Sequence, residues 1–346
     1  MSLRACRIVK YDMLNSMRSG IVGLVPFLCA AFAASAAVDV SSIVEREPNG
    51  VYVVTGIVSV VVHGGPCSDF MINVPYPESS QYQDIEWIEP PPMKLVKTYK
   101  ESGDKRFFFT KTNCAAVPEI RRVFKVRFYK IKANFSKVRK IHPYKKSSRL
   151  YKDNIRPKET KTNLKTLPWL AQSVESIKRV SAENPLAYAR LAYAHIVTNF
   201  VYGVPKRTPD SGLAKTIREM RGNCWELSEL YVALLRAGGI PSRATACLRP
   251  VEYLEHCWAE FYLEGYGWIP VDVTLDLDKT PSYMHFGYYD DLTVVLTRGN
   301  NFELKSAGGK KVIMPFCQWY CDWYWNYDGF NGNPKVTCTF EGARVE

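Results

Sequence analysis

The sequence is short of histidine, with five in 346 residues, and of acids, with 34 against 46 lysines and arginines. It has no internal repeat and no low-complexity tract, which excludes a solenoid or a fibrous array. After Val38 no apolar run is long enough to cross a bilayer, so a chain of several spanning helices is excluded. Packing material is not lacking. Hydrophobic residues make up 47% and aromatics 13%, so disorder does not describe the whole. The length suits two domains better than one.

Ile21–Val38 is uncharged and mostly apolar, is preceded by Arg18, and runs through Ala33-Ala34-Ser35-Ala36-Ala37. A basic start, an apolar stretch and a small-residue finish make a secretory signal peptide over residues 1–37. Met17 is a natural first residue for it, which leaves 1–16 as upstream sequence. The alternative is a membrane anchor, since 18 apolar residues just span. The protein is therefore expected to be exported, to the periplasm, the envelope or the medium. Loss of 1–37 removes Cys6 and Cys29 and leaves eight of the ten cysteines. Most of these are expected to pair in an oxidising compartment, Cys67 with Cys114 among them, and a thiol left over is a candidate nucleophile.

Residues 38–150 read as an antiparallel β domain. Val51–Val54 and Ile57–Val62 are β-branched runs closed by Gly64-Gly65-Pro66. Phe124, Val126 and Phe128 alternate with Lys125 and Arg127, and the phase then flips, which places a bulge near Tyr129. A basic linker covers 151–168, with prolines and little apolar period. Between Arg121 and Lys165 there are 17 lysines and arginines against Asp153 and Glu159, so one segment owns the basicity. It reads either as a patch for an anionic polymer or envelope surface or as a solvated face. Nothing points to a specific nucleic acid.

From Pro168 the pattern turns helical, and 169–300 forms a second domain. Asn184-Pro185 starts a helix with Ala189, Tyr193, Ile196 and Phe200 on one side. Ser211 is placed to cap a short helix carrying Leu213, Ile217 and Met220. Another helix begins near Cys224, buries Leu227, Leu230, Leu234 and Ala237, and stops at Gly238-Gly239. Strands follow over Ser242–Leu248, Cys257–Leu263 and Trp268–Thr274. The remainder, 301–346, is an aromatic-rich extension with Trp319, Tyr320, Trp323, Tyr324, Trp325 and Tyr327.

Thiol catalysis needs a thiolate, a base and a group that orients the base. Arg221-Gly222-Asn223-Cys224-Trp225 puts a cysteine on the first turn of a helix, where the dipole and spare amide groups favour the thiolate. The Cys224 N–H is also available to a developing oxyanion. In His256-Cys257-Trp258-Ala259-Glu260, alternation places His256, Trp258 and Glu260 on one face. Asp272 lies on the next strand, across the turn at Glu264–Gly267 and almost opposite His256. His63, His142, His195 and His285 have no companion motif and read as structural or solvent-facing.

These four blocks (Arg221–Cys224, Ala233–Arg243, His256–Glu260 and Gly267–Asp272) resemble the core of the transglutaminase-like superfamily, in its order, over roughly residues 185–280. The resemblance implies an α+β fold: a papain-like transglutaminase core, with helices packed on an antiparallel sheet, preceded by the N-terminal antiparallel β domain. It implies Cys224 as nucleophile, His256 as general base and Asp272 as orienter. Trp225 and Trp258 are candidates to line the cleft, and Tyr202 is the candidate second oxyanion donor. No metal or cofactor is expected, and the absence of paired Cys-x-x-Cys motifs sets the chain apart from the zinc-bearing glycanases. Cys317, Cys321 and Cys338 read as disulfide material before metal ligands. The expected activity is a cysteine peptidase acting on a protein or peptide. The alternatives are transglutaminase-type crosslinking and a non-catalytic envelope-binding protein on the same scaffold.

Overall fold

The β-branched run at Val51–Val62 forms the middle of a 20-residue strand in the computed structural model. The structure describes residues 41–346 apart from 90–91, 100–101, 157–166, 204–211, 252–253, 278–283, 300–301, 315–321 and 326–332. Residues 1–40, which include the expected signal peptide, and Ser211, Cys317, Cys321, Trp319, Tyr320 and Tyr327 lie outside the described residues. Among those described, no helix is long and apolar enough to cross a membrane.

The first unit contains β1 (Val44–His63), β2 (Cys67–Pro75), β3 (Gln83–Glu89), β4 (Val96–Thr98), β5 (Lys105–Cys114) and β6 (Ile120–Ala133). Helices α1 (Arg149–Ile155), α2 (Pro168–Ser181) and α3 (Pro185–Asn199) follow, so part of the expected linker is helical. Next come β7 (Val201–Tyr202), α4 (Leu213–Glu219), β8 (Arg221–Gly222), α5 (Cys224–Ala237), β9 (Ser242–Arg249), β10 (Leu254–Leu263) and β11 (Gly267–Val271). The last elements are β12 (Tyr288–Tyr289), β13 (Val294–Arg298), β14 (Phe302–Lys305), β15 (Lys311–Met314), β16 (Asp322–Trp325) and β17 (Asn333–Arg344).

Two sheets build the first unit. One runs β12-β6-β1-β17 with β3 also on β6, and the other runs β16-β2-β5-β4. Strands β16 and β17, from the aromatic-rich extension, therefore complete the sheets that β1 and β2 begin. Phe70, Ile72, Phe107, Phe124, Val126 and Phe128 fill the space between them. The predicted phase flip in β6 is present: even positions are buried up to Phe128, then Ile131 and Ala133. Its cause is twofold. The β1 ladder skips a residue between Pro48 and Gly50, opposite Tyr129 and Phe128. Beyond that point β6 leaves the sandwich core, and Ile131 packs with Tyr289 of β12 and with Trp258 of the second unit.

The second unit sets its helices on the antiparallel sheet β11-β10-β9-β13. Asn184 caps α3 by accepting from the Leu186 and Ala187 N–H groups, and Pro185 occupies the first helical position. Ala189, Tyr193, Ile196 and Phe200 are all buried against Leu227, Leu230 and Leu234 of α5. Gly212, at φ 106°, precedes α4 at its N-cap position.

A polar lock joins the units. The Glu260 carboxylate accepts from Tyr82 Oη at 2.6 Å and Arg243 Nε at 2.6 Å, with Gln81 Nε2 at 3.3 Å. Gln83 substitutes for a strand edge: its Oε1 accepts from Val295 N–H and its Nε2 donates to Val295 O. Part of the basic segment is answered by acids at the surface, as in Arg121–Glu89, Lys130–Glu47 and Lys137–Glu45. Such exposed pairs are worth about 0–1 kcal/mol each.

Contrary to the expectation of general pairing, Cys67, Cys114, Cys247 and Cys257 are free thiols. Cys67 and Cys114 are nonetheless direct register partners on β2 and β5, both buried. Mild oxidation should therefore link Cys67 to Cys114, and non-reducing peptide mapping should recover that pair. Closing the intervening loop is expected to add about 4 kcal/mol of stability. Recovery of either cysteine joined to a third one would contradict the register.

Candidate active site

The sequence Gly222-Asn223-Cys224-Trp225-Glu226 folds as a helix entrance because its ends satisfy each other. Asn223 Oδ1 accepts from the Trp225 and Glu226 N–H groups at 2.9 and 3.1 Å. Glu226 Oε2 accepts from the Asn223 N–H at 2.8 Å, which completes a capping box. The box consumes those amides and leaves the Cys224 N–H to other partners. Gly222 keeps a tight approach open, since a Cβ there would lie 3.0 Å from Glu226 Cβ and from Leu227 Cγ. Cys224 is 8% exposed.

Tyr202 reaches the same point through β7, which runs parallel to β8 with Tyr202 in register with Gly222. Its hydroxyl stands within hydrogen-bonding reach of both the Cys224 side chain and the Cys224 backbone N–H. Partial burial, followed by the neighbouring thiol, raises the phenol above its ordinary pKa.

The β10–β11 hairpin pairs Ala259 with Val271 and Leu263 with Gly267, so Asp272 emerges just past the ladder, diagonal to His256. His256 Nε2 lies 2.6 Å from Asp272 Oδ2. The thiol of Cys224 hydrogen-bonds the same ring, and with Nε2 occupied the remaining nitrogen is Nδ1. Asp272 is 3% exposed and its second oxygen is saturated by Thr274, from N–H at 2.9 Å and Oγ1 at 2.7 Å. Burial opposes charge on the His256 ring, but the Asp272 carboxylate prevails and holds its pKa well above the usual value. Burial likewise opposes ionisation of Asp272, and the ring charge prevails there too, keeping that carboxyl low. Cys247 and Cys257 lie close by, but burial drives both thiols well up, so they remain protonated neighbours.

Trp225 is half-buried against Cys224, Ala244, Ala246 and Cys257. Trp258 corrects the sequence reading. It is 0% exposed, between Tyr82 and Tyr289, and supports the His256 layer from beneath instead of lining the cleft. Of the four histidines without a motif, His195 stacks on Trp169 and bonds Ser173, a packing role. His285 differs: it lines a cleft of about 280 Å³ together with His256 and Asp272. No sequence signal marked it, because its partner Asp276 comes from an irregular loop. Among the described residues no cluster of metal-binding side chains occurs.

Residues 174–273 match the sequence model of the transglutaminase-like superfamily core. An uncharacterized protein of Haemophilus influenzae is 30% identical over 118 residues, which are 26% of this chain and 31% of that protein. The match thus spans about a third of that relative's length. Among solved structures, a candidate cysteine protease of Cytophaga hutchinsonii aligns with a TM-score of 0.53 at 14% identity, over 88% of this chain and 93% of its own. The periplasmic domain of TgpA from Pseudomonas aeruginosa aligns with a TM-score of 0.38 at 19% identity, over 61% and 67%. The resemblance and the mixed α+β fold read from the motifs therefore hold, and the Cytophaga likeness is one of fold.

The ion pair sets a pH window. His256, raised in the fold, contributes stability that is full below about pH 6.5 and lost as pH rises through its folded pKa. Asp272, lowered in the fold, contributes above about pH 3.8, and this is lost as pH falls through its own folded value. Asp272→Asn removes the charge that chiefly opposes burial and leaves only Cys224 against it, so His256 should then titrate lower than in the parent protein. Imidazole proton shifts followed by NMR check this, and an unchanged high titration would mean that another group holds the ring charged.

Proposed function

We propose, taking the transglutaminase-like core as premise, that this chain is an exported thiol enzyme that cleaves peptide or isopeptide amide bonds. The observation that carries the reading is the convergence of three side chains. Cys224 sits at the start of α5, its side chain shares a hydrogen bond with the His256 ring, and Asp272 Oδ2 lies 2.6 Å from the far nitrogen of that ring. A thiolate–imidazolium pair in this setting attacks an amide carbon. The Cys224 sulfur bonds to the carbon, the C–N bond breaks, and His256 passes its proton to the departing amine. Water then gives a proton to His256 as its oxygen bonds the carbon and the C–S bond breaks, restoring the thiolate. The Cys224 N–H, with the Tyr202 hydroxyl beside it, faces the place where the oxyanion develops. Crosslinking would differ only in an amine replacing water in the second half.

The apolar segment before residue 38 supports export. The basic strand, with some of its charges already answered by acids, fits a solvated face better than a dedicated polymer site.

A thiol-directed electrophile such as iodoacetamide should label Cys224 ahead of Cys247 and Cys257, read by peptide mapping. Cys224→Ala should lower peptide cleavage by at least about 10⁴-fold while leaving the thermal unfolding midpoint within a few degrees. His256→Ala should be nearly as severe. Retained cleavage in Cys224→Ala would sink the thiol mechanism.

A further inference from the structure

The cleft beside His256 and Asp272 holds a second histidine–carboxylate pair, which the match over 174–273 does not include. Asp276 is 1% exposed and accepts from the Tyr193 hydroxyl and from the His285 backbone N–H at 3.2 Å. His285 Nδ1 lies 3.1 Å from its other oxygen. An ionised carboxylate only accepts, so Nδ1 carries the hydrogen, and in its neutral form the ring presents Nε2 as a lone pair. The backbone ties the two pairs together, since Asp272 N–H donates to His285 O at 3.0 Å. His285 therefore cannot drift from the triad without disturbing its orienter.

The position of the cleft decides what the lone pair meets. In the thiol reaction the acyl half of the substrate lies over the Cys224 N–H, and the amine half extends toward the imidazole that protonates it. The cleft is lined by His256 and Asp272 and not by Cys224 or Tyr202, so of the two halves it is the amine half, running on past the imidazole, that reaches it. Leu254 and Leu275, both close to half exposed, are the aliphatic part of its lining, and Arg249, Asp290 and Asp291 supply charge beside them.

The geometry points to His285, oriented by Asp276, as the residue that binds the amine side of the substrate, by accepting an N–H from the leaving group or from an incoming amine. This rests on the thiol reading above and assigns that site its second substrate position. Asp276 is the positioning residue, acting only through the ring. The first half-reaction with an activated ester whose phenolate leaves without a proton does not use this contact. Peptide cleavage and acyl transfer to an amine do.

The test separates these halves in the full chain. With p-nitrophenyl acetate, the parent should give a Cys224-dependent burst, and leucinamide should compete with water for the acyl-enzyme. His285→Ala should keep the burst rate within about twofold, while peptide cleavage and the apparent affinity for leucinamide each fall about tenfold, the worth of one lost hydrogen bond. His285→Gln, which retains an acceptor oxygen, should recover most of that loss. Asp276→Asn should shift the His285 tautomer, seen in ¹⁵N imidazole shifts, and weaken leucinamide more than it slows the burst. The inference is overturned if His285→Ala and Asp276→Asn leave leucinamide competition unchanged. It is also overturned if they lower burst and cleavage equally, which is what a merely structural pair would do. A parent burst that survives Cys224→Ala would instead remove the thiol reading, and this inference with it.

Discussion

Glu260 is a carboxylate almost without water, 1% exposed, and the placement of the reactive groups depends on how it is satisfied. Burial would push its carboxyl up, but the Arg243 guanidinium beside it prevails, and it stays charged. Withdrawing one partner from a buried charge costs about 3–5 kcal/mol, so Tyr82, Arg243 and the strand between them are held as a unit. That strand is β10, and alternation puts His256 four residues away on the same face, with Trp258 between. Trp258 is clasped by Tyr82 and Tyr289. The imidazole thus stands on a layer whose underside belongs to the N-terminal unit, which makes that unit a part of the site's foundation.

The opposite wall is built on a different principle. Two histidine–carboxylate pairs come from one stretch of chain, and their carboxylates are held by short-range donors: Thr274 for Asp272, Tyr193 for Asp276. Neither acid needs a lysine or arginine. A nearby fixed cation would compete with the imidazole for the carboxylate and reduce the field that keeps His256 charged. Hydroxyl and amide donors satisfy the oxygens without that competition. Arg249, which lines the same cleft, pairs with Asp291 at 2.7 Å and not with either of these acids.

Much of this was legible in the residues. The cap at Asn184-Pro185, the stripe of α3 and the turn at Glu264–Gly267 are local rules, and each produced the element it predicted. Even the phase change in β6 could be read, because alternation records which face a strand buries. Three things could not be read. Trp258 looked available because alternation gives a face but not what covers it, and the cover comes from Tyr82, more than 170 residues earlier. His285 and Asp276 carry no periodic pattern, so their meeting is a fact of tertiary packing alone. Cysteine pairing was read from the compartment, whereas Cys247 and Cys257 face the apolar interior of the sheet as ordinary packing residues.

Strand β17 pairs with β1 along twelve positions, from Tyr52–Arg344 to His63–Asn333. The two partners are separated by roughly the whole described chain, so this ladder closes one of the longest loops available to it. Loop-closure entropy makes such a pairing slow and late. Until residues 333–344 arrive, β1 presents one bare edge of a long β-branched strand, a surface prone to wrong partners. The nascent polypeptide is thus kept incomplete until synthesis has passed the catalytic segment entirely. Order of assembly is built into the topology: the helical core, rich in local contacts, has time to form first, and the sheet beneath the imidazole is sealed last.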